Sequence, residues 1–374
     1  LRIETSDFDL HGIVGIRLLN ATPSDIAAVR QQLGPIEKPL SRVPDIVIRF
    51  VDQMTFSSRI RYLGEGDAGF TDDAFLIFRG KHKRKVKVQI PFDQIGSQQC
   101  QIVCESGVGA VPLLIAILNL TALSKGALPL HASALRYNSK GILVTGWAKG
   151  GKTETLLAFV ANGAEYIGDE WVYISSDGQR MYGIPEPTRI WYWHLQEMAH
   201  YKAMVARGDL IRLGALHAFV HSLEQLESTR LGRQSSFMRF ISPLKVLVRQ
   251  QLNIQLPPEK LFGRKPGEGA VHLEKIFWVI SQAQTDLLVE PIEPQDIARR
   301  IVFSLQEERI GFISYYLKYR FAFPECSNAL IDQAEEIQRT LLLKIFADKE
   351  AYAVYHPYPF SIPTLFEAVR PYCV

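Results

Sequence analysis

Cysteine is scarce in this chain: four residues of 374, at positions 100, 104, 326 and 373. Cys100 and Cys104 form a C-x-x-x-C pair with no histidine nearby. That spacing argues against a zinc site and a disulfide framework, and fits a reducing, cytoplasmic setting. Charge of one sign is lacking as well, because the formal net charge is only +3. The densest basic run, Lys81-His82-Lys83-Arg84-Lys85-Val86-Lys87, reads as a hairpin tip that keeps its charges in water, so no nucleic-acid partner is expected. Also missing is an apolar run of the about 18 to 20 residues that a membrane span needs. The longest, residues 108–123, contains Pro112, Asn119 and Thr121; it reads as a buried helix, and no membrane partner is expected.

What remains is an ordinary globular composition, 47% hydrophobic and 22% charged, in a chain long enough for two domains or one elaborated domain. A single stretch specifies a chemistry by its spacing. Gly146, Gly151, Lys152 and Thr153 fit G-x-x-x-x-G-K-[ST], the phosphate-binding loop, which works only where a strand ends and a helix begins. Both flanks meet that condition. Gly141-Ile142-Leu143-Val144-Thr145 is a β-branched apolar run entered from the Asn138-Ser139-Lys140-Gly141 turn, and residues 153–159 read as helix. Backbone N–H groups around Lys149, Gly150 and Gly151, with the positive end of the helix, would cradle a β-phosphate. Lys152 would reach the β- and γ-phosphates and the Thr153 hydroxyl would ligate Mg²⁺, so ATP and Mg²⁺ are the expected ligands.

The helix should close at Asn162-Gly163 and return through the strand Ala164-Glu165-Tyr166-Ile167-Gly168. A right-handed crossover would set that strand parallel to the first and bring its end beside the loop. That end carries Asp169-Glu170, two adjacent acids suited to holding Mg²⁺ and to taking a proton from a hydroxyl nucleophile; a solvated turn is the plainer account. His131 lies one strand before the loop. If its strand pairs with residues 142–145 as a hairpin, the imidazole falls near the phosphates; otherwise it is a hydrogen-bonded core residue.

In the order His131, strand, Gly146 to Thr153 with Glu154 directly after, helix, Gly163, strand and Asp169-Glu170, the chain resembles the HPr kinase/phosphorylase group, which shares a phosphate-loop fold with phosphoenolpyruvate carboxykinase. The likeness covers residues 127–190 well and the rest loosely. It implies a kinase domain in which Asp169 is the general base, Glu170 a metal-binding or orienting carboxylate, and Lys152 and Thr153 the phosphate and Mg²⁺ residues; Glu154 goes with the loop in nucleotide binding. Ala148-Lys149 stands where the family usually has Ser-Gly, the acid pair is usually Asp-Asp, and the family's later E-x-R-G signature has no match. In its place is Gly183-Ile184-Pro185-Glu186-Pro187-Thr188-Arg189. Arg189 follows this rigid turn, either as a cation over the γ-phosphate or as half of a salt bridge. Trp191-Tyr192-Trp193-His194 reads as core more readily than as a platform for a base.

The fold class expected is α/β with α+β elements. A β-rich N-terminal domain (residues 1–105) leads into a P-loop kinase domain of the HPr kinase C-terminal type (106–310) with a helical insertion at about 195–265, and a helical extension with a Pro-rich tail follows (311–374). In the first region Thr22-Pro23-Ser24-Asp25 caps a helix through Gln32, and strands are expected at 45–51, 74–78 and 86–90. This region serves as scaffold, oligomer contact or docking surface, so a homo-oligomer stays open. Residues 272–281 read as a buried strand of the central sheet, and a helix follows to about Glu308. Another helix is expected over 329–346, and the alternating prolines of 356–363 favour an extended strap.

Two functions fit. One is an ATP- and Mg²⁺-dependent phosphotransferase acting on a hydroxyl of a protein, peptide or small molecule. The other is a nucleotide-binding regulatory or assembly module with little turnover.

Overall fold

The computed structural model describes residues 3–79, 86–228, 245–263, 270–358 and 360–373. The architecture is mixed α and β, with sheets of eight, nine and two strands. Residues 3–105 supply β1 (Ile3–Leu10), β2 (Val14–Ala21), helix α1 (Pro23–Leu33), β3 (Ile46–Val51), β4 (Arg61–Leu63), β5 (Ala68–Phe70), β6 (Phe75–Arg79), β7 (Val86–Gln89) and β8 (Cys100–Glu105). They form one sheet in the order β1-β2-β3-β8-β7-β6-β5-β4. Thr22 caps α1 as its spelling demands: its side chain accepts from the Asp25 amide at 3.3 Å, while Asp25 Oδ2 accepts from the Thr22 amide at 3.0 Å. All four cysteines are free thiols. The turn expected at Arg79-Gly80-Lys81-His82, and most of the basic run, lie outside the described residues.

The apolar stretch at 108–123 becomes a helix only from its middle. Helix α2 (Leu114–Ser124) starts after Pro112 and after Leu113, which sits in the left-handed region at φ 61°. Proline disfavours helical backbone just before it, so the first turn expected there does not form. Beyond α2 come β9 (Leu128–Tyr137) and β10 (Lys140–Gly146), an antiparallel hairpin. Its two-residue loop, Asn138-Ser139, takes φ 49° and 66°, the positive values a tight hairpin needs.

Helix α3 (Lys152–Ala161) follows, with Asn162 as C-cap and Gly163 at φ 89°. Next are β11 (Glu165–Gly168), β12 (Trp171–Ile174), β13 (Arg180–Gly183) and β14 (Thr188–Trp191). The insertion holds α4 (Tyr192–Glu197), α5 (Ala199–Lys202), α6 (Arg207–Ser228), β15 (Asn253–Leu256) and α7 (Pro258–Phe262). Strand β15 pairs back onto β14, which anchors the insertion beside the sheet. Arg230, Arg233 and Arg239 lie outside the described residues.

The remaining elements are β16 (Val271–His272), β17 (Lys275–Ser281), β18 (Leu288–Pro291), α8 (Pro294–Ala322), α9 (Ala329–Phe346), β19 (Glu350–His356) and α10 (Ile362–Val369). The nine-stranded sheet runs β16-β13-β12-β9-β10-β17-β19-β18, with β11 also on β9. Strands β10, β17 and β19 are mutually parallel. β11 does not adjoin β10, because β9 lies between them; both run antiparallel to β9 and so point the same way. The ends of these strands therefore gather at one edge, where ligands meet open α/β sheets.

Helix α3 covers one face, with Leu156 and Phe159 buried against Val144 and Phe277. The other face is covered by α8 and α9, through Ile297, Ile301 and Leu342 on Leu130 and Leu143. Each such fully buried side chain contributes about 1.5–3 kcal/mol relative to exposure. The helix expected to stop near Glu308 runs 29 residues, about 43 Å. Gly311 does not break it, and Pro324 lies beyond its end. Its second half places Phe312, Tyr316 and Tyr319 against Phe92 in the core of the eight-stranded sheet, so the helix passes through the boundary drawn at 310. The tail is likewise more regular than a strap: His356 closes β19, and Pro363 enters the first turn of α10.

Candidate functional site

The loop from Gly146 to Thr153 joins the end of β10 to the start of α3. Gly151 is the N-cap of α3 at φ 105°, and a Cβ there would fall 2.8 Å from His356 Nε2. Only glycine meets both demands. His356, fully buried at the end of β19, holds the loop from below, its Nε2 2.8 Å from Gly150 O. Trp147 stands 53% exposed at the loop's tip and Lys149 is exposed beside it. The first bond back into α3 is Thr155 N–H to Gly151 O, so the amides of Lys152, Thr153 and Glu154 have no intrahelical acceptor. Those free amides and the helix dipole make an anion-binding end.

Lys152 is 6% exposed, and its Nζ donates to the carbonyls of Gly146 at 3.4 Å and Trp147 at 3.0 Å. Burial lowers its pKa, against the pull of Glu170, Asp169, Glu308 and Glu154. The ammonium thus closes the mouth of its own loop with four carboxylates around it.

Asp169 and Glu170 sit at the break between β11 and β12. Glu170 takes φ 62°, rare for a residue with a side chain, and the Trp171 amide donates back to Asp169 O at 2.7 Å. This kink carries the two acids onto different partners. Asp169, 2% exposed, accepts from Ser133 Oγ at 2.6 Å, and from Thr153 Oγ1 at 3.2 Å to each carboxylate oxygen. Burial, and after it the charge of Glu170, push its pKa up to about 6. Glu170 instead meets His131, Oε2 to Nε2 at 3.0 Å, and that bond lowers its pKa.

His131 sits on the hairpin as the pairing of β9 with β10 requires, and its second nitrogen, Nδ1, lies 2.6 Å from Glu308 Oε1 on α8. Burial works to lower the His131 pKa, but the bonds to Glu170 and Glu308 outweigh it and hold the imidazole above its ordinary value. Its ring lies 5.8 Å from that of Trp171. Loop, acid pair and His131 therefore converge. Arg189 is exposed on β14 and forms no ion pair among the described residues; its charge helps to lower the Glu170 pKa.

Glu154 is engaged elsewhere: its Oε1 lies 3.0 Å from His194 Nε2. His194 Nδ1 accepts from the Trp191 amide at 3.2 Å, so Nε2 carries the hydrogen that points at Glu154. The aromatic run therefore fastens the insertion to α3, with His194 fully buried.

Three residues were not read as part of this site: Glu308, His356 and Glu186. Glu186 Oε1 is buried without a partner among the described residues, and burial, then the charges of Glu170 and Asp169, push its pKa well up. Its place directly after Pro185 was the one signal available. Among the described residues no group of three or more His, Cys, Asp or Glu side chains is arranged to hold a metal ion by itself. A hydroxyl and a carboxylate side by side suit a cation that takes its other oxygens from phosphates and water, as Mg²⁺ does. No helix among the described residues is long and apolar enough to cross a membrane. No protein-family model matches the chain, and no curated protein matches it.

Proposed function

We propose that the chain is an ATP- and Mg²⁺-dependent phosphotransferase of the HPr-kinase-like type, acting on a hydroxyl group. The observation that carries this reading is the contact of Thr153 with Asp169, which joins the start of a glycine-rich loop's helix to a buried acid. The α3 amides and Lys152 bind the phosphates of ATP. Thr153 and Asp169, with Glu170 nearby, would hold Mg²⁺, which supplies charge neutralisation on the transferring phosphoryl group. Asp169 takes the proton from the acceptor hydroxyl, and a carboxyl held near 6 suits a base at neutral pH. Lys152 leaves its two loop carbonyls when phosphate oxygens replace them. His131 orients Glu170 and carries charge between it and Glu308. Arg189 stands free to meet the γ-phosphate.

A second reading, nucleotide binding with little turnover, is favoured by the prior engagement of Lys152 with its loop and of Glu170 with His131. One experiment separates the two: γ-labelled ATP is incubated with the protein and a lysate of its own source, comparing wild type, Lys152→Ala and Asp169→Asn. Label on a discrete acceptor, lost in both variants, supports the phosphotransferase. ATP binding with neither transfer nor phosphate release supports the binding module.

A further inference from the structure

The N-terminal sheet reaches the acid pair through a short stack of backbone. Its β1–β2 hairpin turns at His11-Gly12-Ile13, with His11 at φ 49° and Gly12 at φ 76°. From that turn the half-buried His11 side chain crosses to β13: its Nε2 lies 2.8 Å from Gly183 O, and its ring 4.9 Å from that of Tyr182. A carbonyl can only accept, so Nε2 carries the hydrogen. Burial lowers the His11 pKa and keeps the ring neutral at neutral pH. Gly34, the C-cap of α1 at φ 71°, makes a second contact close by, where an added Cβ would fall 2.2 Å from Pro185 O. Between these two points in sequence, Ile184 is fully buried in the core of the N-terminal sheet.

The other side of Gly183 meets the strand that carries the acids. A Cβ on Gly183 would fall 2.3 Å from Ile167 O and 2.4 Å from Gly168 Cα, and one on Gly168 would fall 2.6 Å from Gly183 Cα. Two backbones touch here with no side chain between them, which paired glycines alone permit. Gly168 directly precedes Asp169. One residue past Gly183, the Ile184 amide donates to Trp171 O at 3.2 Å, so the end of β13 also holds the residue that follows Glu170. The acid pair is bracketed on both sides by a segment that the N-terminal sheet grips from behind. Glu170, at φ 62° between those brackets, is in a conformation that persists only where its surroundings over-determine it.

We propose that the N-terminal sheet positions the base: His11 is a positioning residue that acts through Gly183 and Gly168 on Asp169. This rests on the reading of Asp169 as the base of a phosphotransferase. Close-packed backbone passes a displacement on instead of absorbing it, so release of Gly183 loosens the Asp169-Glu170 kink. The ATP loop is held separately, by β10, α3 and His356, so the loosening falls on the transfer step and not on nucleotide affinity.

The test compares two substitutes for His11 in the full chain. Asparagine suits left-handed backbone, but its amide stops short of Gly183 O; glutamine strains the turn, yet sets an amide nitrogen where Nε2 stood. The Asp169 midpoint is read by NMR on aspartate labelled with carbon-13 at the side-chain carboxyl, with Asp169→Asn assigning the signal and thermal melts confirming the fold. Asp169 is faced by Ser133 and Thr153 and feels Glu170, Lys152, Tyr166 and Glu186, all of which both variants keep. In His11→Asn water reaches the acid, and its midpoint should fall by about half a unit or more. The kcat for transfer should drop roughly tenfold with KM for ATP within about twofold. His11→Gln should keep the wild-type midpoint and most of kcat. The reverse order, with asparagine normal and glutamine impaired, would make His11 a turn residue and overturns the proposal. An Asp169 midpoint unmoved in both variants, or moved equally in both, overturns it too, whatever the rate does. A midpoint that moves as expected in protein that transfers no phosphate supports the positioning and counts against the phosphotransferase reading alone.

Discussion

The Thr153 hydroxyl stands 3.2 Å from both carboxylate oxygens of Asp169, one at the start of α3 and the other at the end of β11. Strand β9 holds that relation, because it pairs with β10 on one side and β11 on the other and contributes Ser133 to the same carboxylate. A metal held by the pair depends on the hydroxyl. Thr153→Ala should lower phosphoryl transfer roughly 100-fold or more, while Thr153→Ser keeps most of it; the check is transfer rate against Mg²⁺ concentration. Equal loss in both variants would place the effect in packing by the Thr153 methyl group.

Asp169 gives a pH dependence with a defined sign. Its pKa is raised to about 6, so the base becomes competent as pH climbs through that value, and kcat/KM should rise across pH 5 to 7. The same shift costs stability, since a carboxyl that binds its proton more tightly folded than unfolded makes the protein less stable as pH rises from about 4 to 6. Asp169→Asn should abolish transfer, flatten the stability profile over that range and raise stability at pH 7 by on the order of 1–3 kcal/mol. Chemical denaturation at two pH values measures it, and a variant less stable at pH 7 contradicts it.

The loop and the acid pair were legible because each is local: a glycine pattern between an apolar run and a helix, then two acids after the next apolar run. His131 was legible only conditionally, through the hairpin turn at Asn138-Ser139. Glu308 was not, because it lies on a helix whose other positions read as ordinary packing, and only the tertiary course of α8 brings it to β9. His356 was hidden for a related reason. The prolines around it signal irregular backbone, yet β19 enters the central sheet beside β17, a pairing no local pattern encodes. The boundary drawn near residue 310 failed to anticipate that one helix serves two cores.

The His131 bridge supplies a second pH effect of the same sign, at higher pH. Glu170 and Glu308 hold the His131 pKa above its ordinary value, so the stability this bridge contributes is present below the unfolded pKa and fades as pH rises through the folded one. Glu308→Gln should therefore lower the midpoint of the His131 ring proton in an NMR titration. It should also shift the acidic limb of the transfer profile while leaving ATP affinity within about twofold, a change of less than about 0.5 kcal/mol. An unchanged His131 midpoint would rule out the coupling.

Gly151 and His356 make the last prediction. The glycine sits at φ 105°, and an added Cβ would press against the His356 ring nitrogen at 2.8 Å. Gly151→Ala should cost about 1–3 kcal/mol in stability through backbone strain alone, and more from the clash. It should also remove ATP binding, because the loop amides lose their common aim. The double variant Gly151→Ala with His356→Ala separates these effects, since it removes the clash and keeps the strain. Recovery of part of the stability without recovery of ATP affinity is the expected result, read by thermal melts and ATP titration; full recovery of both would mean that the ring, and not the backbone, dictates glycine here.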